Sequence, residues 1–226
     1  MKNSKLLFIF ISLIGLVSKQ VTAQRIDLNQ KQYDAVGVFD SLIKNGSETV
    51  LRVVKDPKVI AVDEPTFVKI QNVDFTNGLI EVKVLSKLLP NAADSARGFI
   101  GLAFRINTDN TQFESIYIRP TNGRANVQLR RNRAVQYFSY PDFKYNVLRT
   151  IAPGMYESYA DMGLNEWIQL KIEVANSQAK LYINNSKQPV LIVNDLKHGA
   201  NAAGAIGLFV DIGTEGYFKD LVVIPK

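Results

Sequence analysis

Residues 167–183 read WIQLKIEVANSQAKLYI, and their spacing decides the fold class. Ile168, Leu170, Ile172 and Val174 take every second position, with Gln169, Lys171 and Glu173 between them. That is the two-residue period of a strand with one dry and one wet face; a helix would need apolar positions three and four apart. Asn176-Ser177 interrupts the pattern with residues suited to tight turns, and 178–183 resumes it, so the stretch predicts an antiparallel hairpin.

Outward from this hairpin, short runs rich in Val, Ile, Tyr and Phe recur at 49–54, 66–70, 79–85, 99–106, 113–119, 134–138, 190–193, 205–211 and 217–224. Clusters of Asn, Asp, Gly and Pro separate them, and no long amphipathic helix intervenes. About eleven short strands without helices predict two packed antiparallel sheets, an all-β jelly-roll sandwich. Residues 24–48 are less periodic and read as an edge strand or a cover. With no internal repeat and no linker, 24–226 reads as a single domain.

The chain has 226 residues, 46% hydrophobic and 21% charged, which is ample for a packed core. It contains no cysteine, so disulfides, thiolate metal sites and cysteine nucleophiles are excluded. His198, its single histidine, lies in a turn-like context and reads as a surface residue. No glycine-rich phosphate loop, serine elbow or dinucleotide fingerprint is present. At the start, Lys2 and Lys5 precede an apolar run over 6–17, and Val21-Thr22-Ala23 has the small residues of a cleavage site. Residues 1–23 therefore read as a signal peptide, and the product as an exported bacterial protein, periplasmic or extracellular. The apolar run is shorter than the roughly 18 residues a membrane span needs, and no later segment is long enough. Lys2, Lys5 and Lys19 leave with the signal, so the net charge falls from +6 to +3, which argues against nucleic acid as a partner.

Charge and aromatic surface are concentrated in the middle of the chain. Seven basic residues and one acid, Asp142, lie between Arg119 and Arg149, and nine aromatic residues lie between Phe113 and Tyr159. Strand parity sends Ile100, Leu102, Phe104 and Ile106 to the core and leaves Gly101, Ala103 and Arg105 opposite. In the next strand it leaves Ser115, Tyr117 and Arg119 on that same outer face. The expected result is a trough floored by Gly101 and Ala103 and walled by Arg105, Tyr117 and Arg119, with Gln136 or Tyr137 added by the following strand. The segment 139–165, carrying Tyr140, Tyr145, Arg149, Tyr156, Glu157 and Tyr159, reads as a functional loop over it. Aromatic faces and guanidinium forks together suit a glycan, including an acidic one.

Several blocks carry a family resemblance. They are Gly101-Leu102-Ala103-Phe104-Arg105, Phe113 to Pro120, Arg133 to Tyr137, Pro153 to Glu157, Trp167 with Lys171 to Val174, and Gly204 to Leu208 with Tyr217-Phe218. In this order, over roughly 65–226, the chain resembles the exported bacterial laminin-G-like domains of the concanavalin A-like lectin and glucanase superfamily. Relatives there carry names such as family-16-type glycoside hydrolase or 3-keto-disaccharide hydrolase. The resemblance implies a twelve-to-fourteen-strand jelly roll whose concave sheet binds saccharide. Calcium sites recur in that superfamily, and Asn107-Thr108-Asp109-Asn110 offers clustered oxygen donors; otherwise no metal or cofactor is expected.

Three functions follow as expectations. The first is a saccharide-binding module using Arg105, Tyr117, Arg119, Gln136, Tyr137, Tyr140, Arg149 and Tyr156. The second is a glycoside hydrolase or lyase with Glu114 or Glu157 as acid or base, and Arg119 or Tyr137 steadying the developing charge. Against it, the Glu-x-Asp-x-(x)-Glu strand of family-16 glucanases is absent. The third is an envelope protein-interaction module. Each candidate also has a structural reading: Arg105 and Arg119 paired with Glu114, Glu157 or Asp161, Tyr117 and Tyr137 as core aromatics, and 130–133 as a solvated turn.

Overall fold

The computed structural model describes residues 23–45 and 48–226; the predicted signal peptide, apart from Ala23, lies outside them. In chain order the strands are β1 (Gln24–Ile26), β2 (Tyr33–Val36), β3 (Val38–Asn45), β4 (Glu48–Lys55), β5 (Phe67–Ile70), β6 (Gly78–Leu88), β7 (Ile100–Ile106) and β8 (Phe113–Ile118). They continue as β9 (Val135–Tyr140), β10 (Glu157–Ser158), β11 (Ile168–Ala175), β12 (Gln178–Ile183), β13 (Leu191–Val193), β14 (Ala205–Val210) and β15 (Thr214–Pro225). Among the described residues a 3-10 turn (Leu28–Gln30) and three short α-helices interrupt them: α1 (Pro120–Gly123), α2 (Gln128–Arg131) and α3 (Tyr145–Ile151). One sheet runs β13-β12-β11-β6-β15-β4-β3 with β1 also on β15, and the other runs β10-β9-β8-β7-β14-β5-β2. The all-β, two-sheet antiparallel sandwich is as expected, and the weakly periodic 24–48 segment supplies β1, β2 and β3.

The hairpin at 167–183 forms as its alternation requires. Ile172 pairs with Ile80 on one side and Leu181 on the other, all buried, while Lys171 and Glu173 face outward. Asn176 takes the left-handed conformation at the turn (φ 54°), one asparagine tolerates well. Facing this sheet, Ile100, Leu102, Ile116, Ile118, Leu208 and Val210 complete the core between the layers. Gly216 is required there, because a Cβ would lie 2.6 Å from Val210 Cγ1.

The second sheet departs from a simple wet outer face. Every residue of β7 and β8 is buried. Its outer side carries an aromatic layer: Phe67 and Phe113 have ring centroids 5.3 Å apart, Phe113 and Phe138 5.6 Å, Phe138 and Phe209 5.5 Å, and Phe209 and Tyr117 5.6 Å. Each such pair contributes about 0.5–1.5 kcal/mol beyond burial. The segment 56–66 and α3 cover this layer. The Tyr145 N–H donates to Asp63 Oδ2 (2.8 Å), Lys144 pairs with Glu64, and Leu148 is buried. Helix α3 and β10 lie within what the sequence suggested as one long loop.

Parity also breaks at Arg105. The β7–β14 register shifts between Ala205 and Gly207, and Arg105 takes φ 54°, which marks a bulge with one extra residue on β7. The bulge re-aims the arginine away from the outer face.

Candidate functional site

A cavity of about 440 Å³ opens on the outer face of the second sheet, where β7 begins and β8 ends. Phe99, Tyr117, Arg119, Asp211 and Ile212 form its sheet side; Val62 and Asp63 come from the covering segment. Ser95 and Arg97 precede β7, while Asn122, Val127, Leu129, Arg130 and Arg133 enter from around α1 and α2, and Tyr145 and Arg149 from α3. Val127 and Leu129 at its mouth are more than half exposed, at 53% and 57%. The expected trough over Gly101 and Ala103 is not open, because the Tyr117, Phe138 and Phe209 rings fill it. Gly101 permits this crossing: its Cβ would sit 2.7 Å from Tyr117 Cβ.

Arg119 organises the floor. Its Nη2 donates to the Tyr117 hydroxyl (2.8 Å) and Gln136 Oε1 (3.1 Å), and its Nη1 to the Arg133 carbonyl (3.1 Å) and Glu157 Oε1 (3.2 Å). Glu157 also accepts from Arg149 Nε at 3.0 Å and pairs with Arg133 at 3.5 Å. Its side chain is 5% exposed and surrounded by three guanidinia, so the carboxylate is committed to ion pairs. Burial pushes the Tyr117 phenol well above its usual range. Tyr117, Arg119, Gln136, Arg149 and Glu157 thus share one network, although Gln136 and Glu157 do not line the cavity.

Two acids that the sequence reading did not single out meet here. The Asp63 N–H donates to Asp211 Oδ2 (2.9 Å), and Asp211 Oδ1 accepts from Lys55 Nζ (2.6 Å) and the Ile212 N–H (2.7 Å). Asp211 therefore has a buried cation of its own. Burial, reinforced by the Asp211 charge, pushes the Asp63 carboxyl up to a pKa of about 6 against the opposing pull of the Tyr145 N–H, the Arg119 charge and the Tyr117 hydroxyl. Nothing local in Val62-Asp63-Glu64 signals this, since the partner lies 148 residues away. Arg97 was also missed, and Arg130 and Arg133, read as a solvated turn, face the cavity.

The remaining predicted residues lie elsewhere. Glu114 belongs to the inner face: it accepts from the Tyr137 hydroxyl (2.5 Å) and the His198 N–H (2.9 Å), and the Lys197 N–H donates to the Tyr137 hydroxyl (3.0 Å). Glu114 and Glu157 thus stand on opposite faces of the sheet and cannot flank one glycosidic bond. Arg105, redirected by its bulge, donates to the carbonyls of Thr76 (2.9 Å), Gly199 (2.8 Å) and Asn176 (2.7 Å), so the expected wall of the trough instead ties three turns together. Tyr156 donates to Asp195 Oδ2 (2.6 Å) and packs on Tyr137, while Tyr140 stacks on Phe113, its centroid 5.1 Å away. His198 is half-buried rather than a free surface residue, with Nε2 2.9 Å from Ser139 Oγ. Trp167 stands partly exposed beside Lys219 on the other sheet.

The calcium expectation does not fit its loop. Lys69 Nζ donates to the carbonyls of Asn107 (2.8 Å) and Thr108 (3.1 Å) and to Asn110 Oδ1 (2.8 Å), so an ammonium already occupies the oxygen cluster. Among the described residues, no group of three or more His, Asp or Glu is placed to hold a metal ion, and no helix is long and apolar enough to cross a membrane.

No protein-family profile matches the sequence, and no curated protein matches it. Among solved structures, a provisionally assigned glycosyl hydrolase from Parabacteroides distasonis superposes with a TM-score of 0.56 at 14% identity, covering 91% of this chain and all of that one. The carbohydrate binding module CBM66 of Bacillus subtilis gives 0.50 at 12% identity, covering 84% of this chain and 97% of the module. A Bacillus subtilis protein of unknown function with a galectin-like fold gives 0.51 at 12% identity, covering 89% and 94%. At such identities the likeness defines the architecture alone, a two-sheet β jelly roll.

Proposed function

We propose that this chain is an exported saccharide-binding jelly roll that takes its ligand in the cavity bounded by Arg119, Arg97, Tyr145 and the α2 segment. The observation that carries the reading is the cavity itself. Five guanidinia and three aromatic rings converge on about 440 Å³ of open space, with exposed apolar residues at the mouth. Guanidinium forks hold hydroxyls and carboxylates, and apolar walls pack on sugar C–H faces. The binding-module and hydrolase neighbours support a saccharide as the ligand class. Export rests on the signal-like residues 1–23.

The test is saturation-transfer NMR of the full chain with neutral and acidic oligosaccharides, repeated on Tyr145→Ala and Leu129→Asp. Transfer that disappears in both variants, with their chemical-shift dispersion retained, supports the reading. Transfer that persists in both moves the site elsewhere.

A hydrolytic reading is favoured by one observation, a cavity carboxyl held at about 6, near the range a general acid needs. It runs through Asp63 rather than Glu114 or Glu157. New anomeric signals in the same NMR samples, lost in Asp63→Asn, would establish it. Binding of an envelope protein that free oligosaccharide cannot displace would instead favour an interaction module.

A further inference from the structure

The cations of the cavity are unevenly matched. Arg119, Arg133 and Arg149 share Glu157, and Lys55 is matched by Asp211. Arg97 and Arg130 have no carboxylate within ion-pair distance among the described residues. Both line the cavity, and both are fixed to the same residue. The Thr121 N–H donates to the Arg97 carbonyl (3.3 Å), and Arg130 Nη2 donates to the Thr121 carbonyl (3.2 Å) and Oγ1 (3.3 Å). Arg130 Nε is further held by Asn122 Oδ1 (3.1 Å), and Arg97 Nη1 by the Ala96 carbonyl (2.7 Å) and that of Asp94.

These bonds use only part of each guanidinium. Among the described residues, Arg97 Nε and Nη2 and Arg130 Nη1 have no protein acceptor. Partial burial, and then the Arg130 and Arg119 charges, hold the Arg97 guanidinium below its ordinary pKa. Like charges fixed together, half-desolvated and with donors to spare, are stabilised when an anion joins them.

We propose that the Arg97–Arg130 corner is an anion subsite that receives a carboxylate or sulfate substituent of the bound saccharide. This rests on the saccharide reading above for the identity of the ligand, but the anion site is testable by itself. The apolar mouth at Val127 and Leu129 lies on the same α2 segment, so a uronate- or sulfate-bearing sugar can present its charge to the guanidinia and its C–H face to these side chains.

The experiment follows the arginine Nε–Hε signals of the full chain at constant ionic strength. The probes are sodium sulfate, an oligogalacturonate and the same oligosaccharide with its carboxyls reduced. The expected result is that sulfate and oligogalacturonate both move the Arg97 signal, and that carboxyl reduction weakens binding at least about tenfold. The Arg97→Gln/Arg130→Gln double variant should show a comparable loss for the acidic sugar and a markedly smaller one for the reduced sugar. If sulfate moves these signals but no oligosaccharide binds, the anion subsite stands and the saccharide reading falls. If acidic and reduced sugars bind equally and leave Arg97 unmoved, the saccharide reading stands and the anion subsite is overturned. Silence of both arginines to every probe overturns it as well.

Discussion

On the inner face of β8, Glu114 is enclosed with Tyr137, the His198 backbone and the neighbouring charge of Arg105; on its outer face, Tyr117 and Arg119 end at an open cavity. Both clusters are buried and rich in hydrogen bonds. The inner one binds turns to strands: Glu114, Tyr137 and Arg105 all bond protein groups, and none of them lines the outer-face cavity. The outer one combines a saturated floor around Arg119 with underused guanidinia at its rim. A buried polar network is therefore insufficient to mark a binding site. Unmatched donors facing open space mark it better.

The contrast can be broken most forcefully at the saturated floor. Arg119→Ala leaves Gln136 Oε1 and the Tyr117 hydroxyl without their buried donor and removes one of the three cations around Glu157, and should destabilise the fold by about 3–5 kcal/mol in urea unfolding, as loss of one partner from a buried pair does. A cost below about 1 kcal/mol would show that the network is not the scaffold of the site. On the inner face, Glu114→Ala should cost about 3 kcal/mol by leaving the Tyr137 hydroxyl and the His198 N–H without their acceptor. Ligand affinity should be unaltered in the folded fraction, and a selective loss of affinity would bring the inner cluster back into the binding function.

A third test uses the cavity acid. Because the fold raises the Asp63 pKa to about 6 from an ordinary 3.8, the native state holds that proton more tightly than the unfolded chain. This contribution to stability is fully present below about pH 4, falls as pH rises to about 6 and is level above it. Two units correspond to about 3 kcal/mol. Asp63→Asn keeps an oxygen for the Tyr145 N–H and suits φ 53°, so it should gain about 2–3 kcal/mol at pH 7.5 and flatten the slope. Unfolding curves at pH 4.5 and 7.5 decide it; an unchanged slope in the variant contradicts the assignment.

The smallest stability effect belongs to the mouth. Leu129→Asp should change stability by less than about 0.5 kcal/mol because Leu129 is exposed, and Tyr145→Ala by about 1–2 kcal/mol because its half-buried ring packs on Arg149. Binding should nonetheless be lost. Destabilisation of both by several kcal/mol would make the mouth part of the core.

The same contrast explains what could be read from the sequence. The β11–β12 hairpin was legible because one side of its sheet faces water, so polarity alternates from Gln169 to Glu173. In β7 and β8 both sides are covered, and alternation no longer tells inside from outside, so Tyr117 and Arg119 were assigned to the correct face but to an open trough. The Arg105 bulge leaves no local signature, and its displacement from the outer face follows from a backbone conformation, not from residue type. Helix α3 spans only seven residues, too few for a helical period to emerge. Asp63, Asp211 and Arg97 come together only through long-range folding and carry no motif.

The central claim is that the outer-face cavity, rather than the inner cluster, receives a saccharide. Its most direct test is saturation-transfer NMR of the full chain, Leu129→Asp and Glu114→Gln against one panel of neutral and acidic oligosaccharides. The account predicts transfer in the full chain and in Glu114→Gln and none in Leu129→Asp. Transfer that survives Leu129→Asp but vanishes in Glu114→Gln would contradict it.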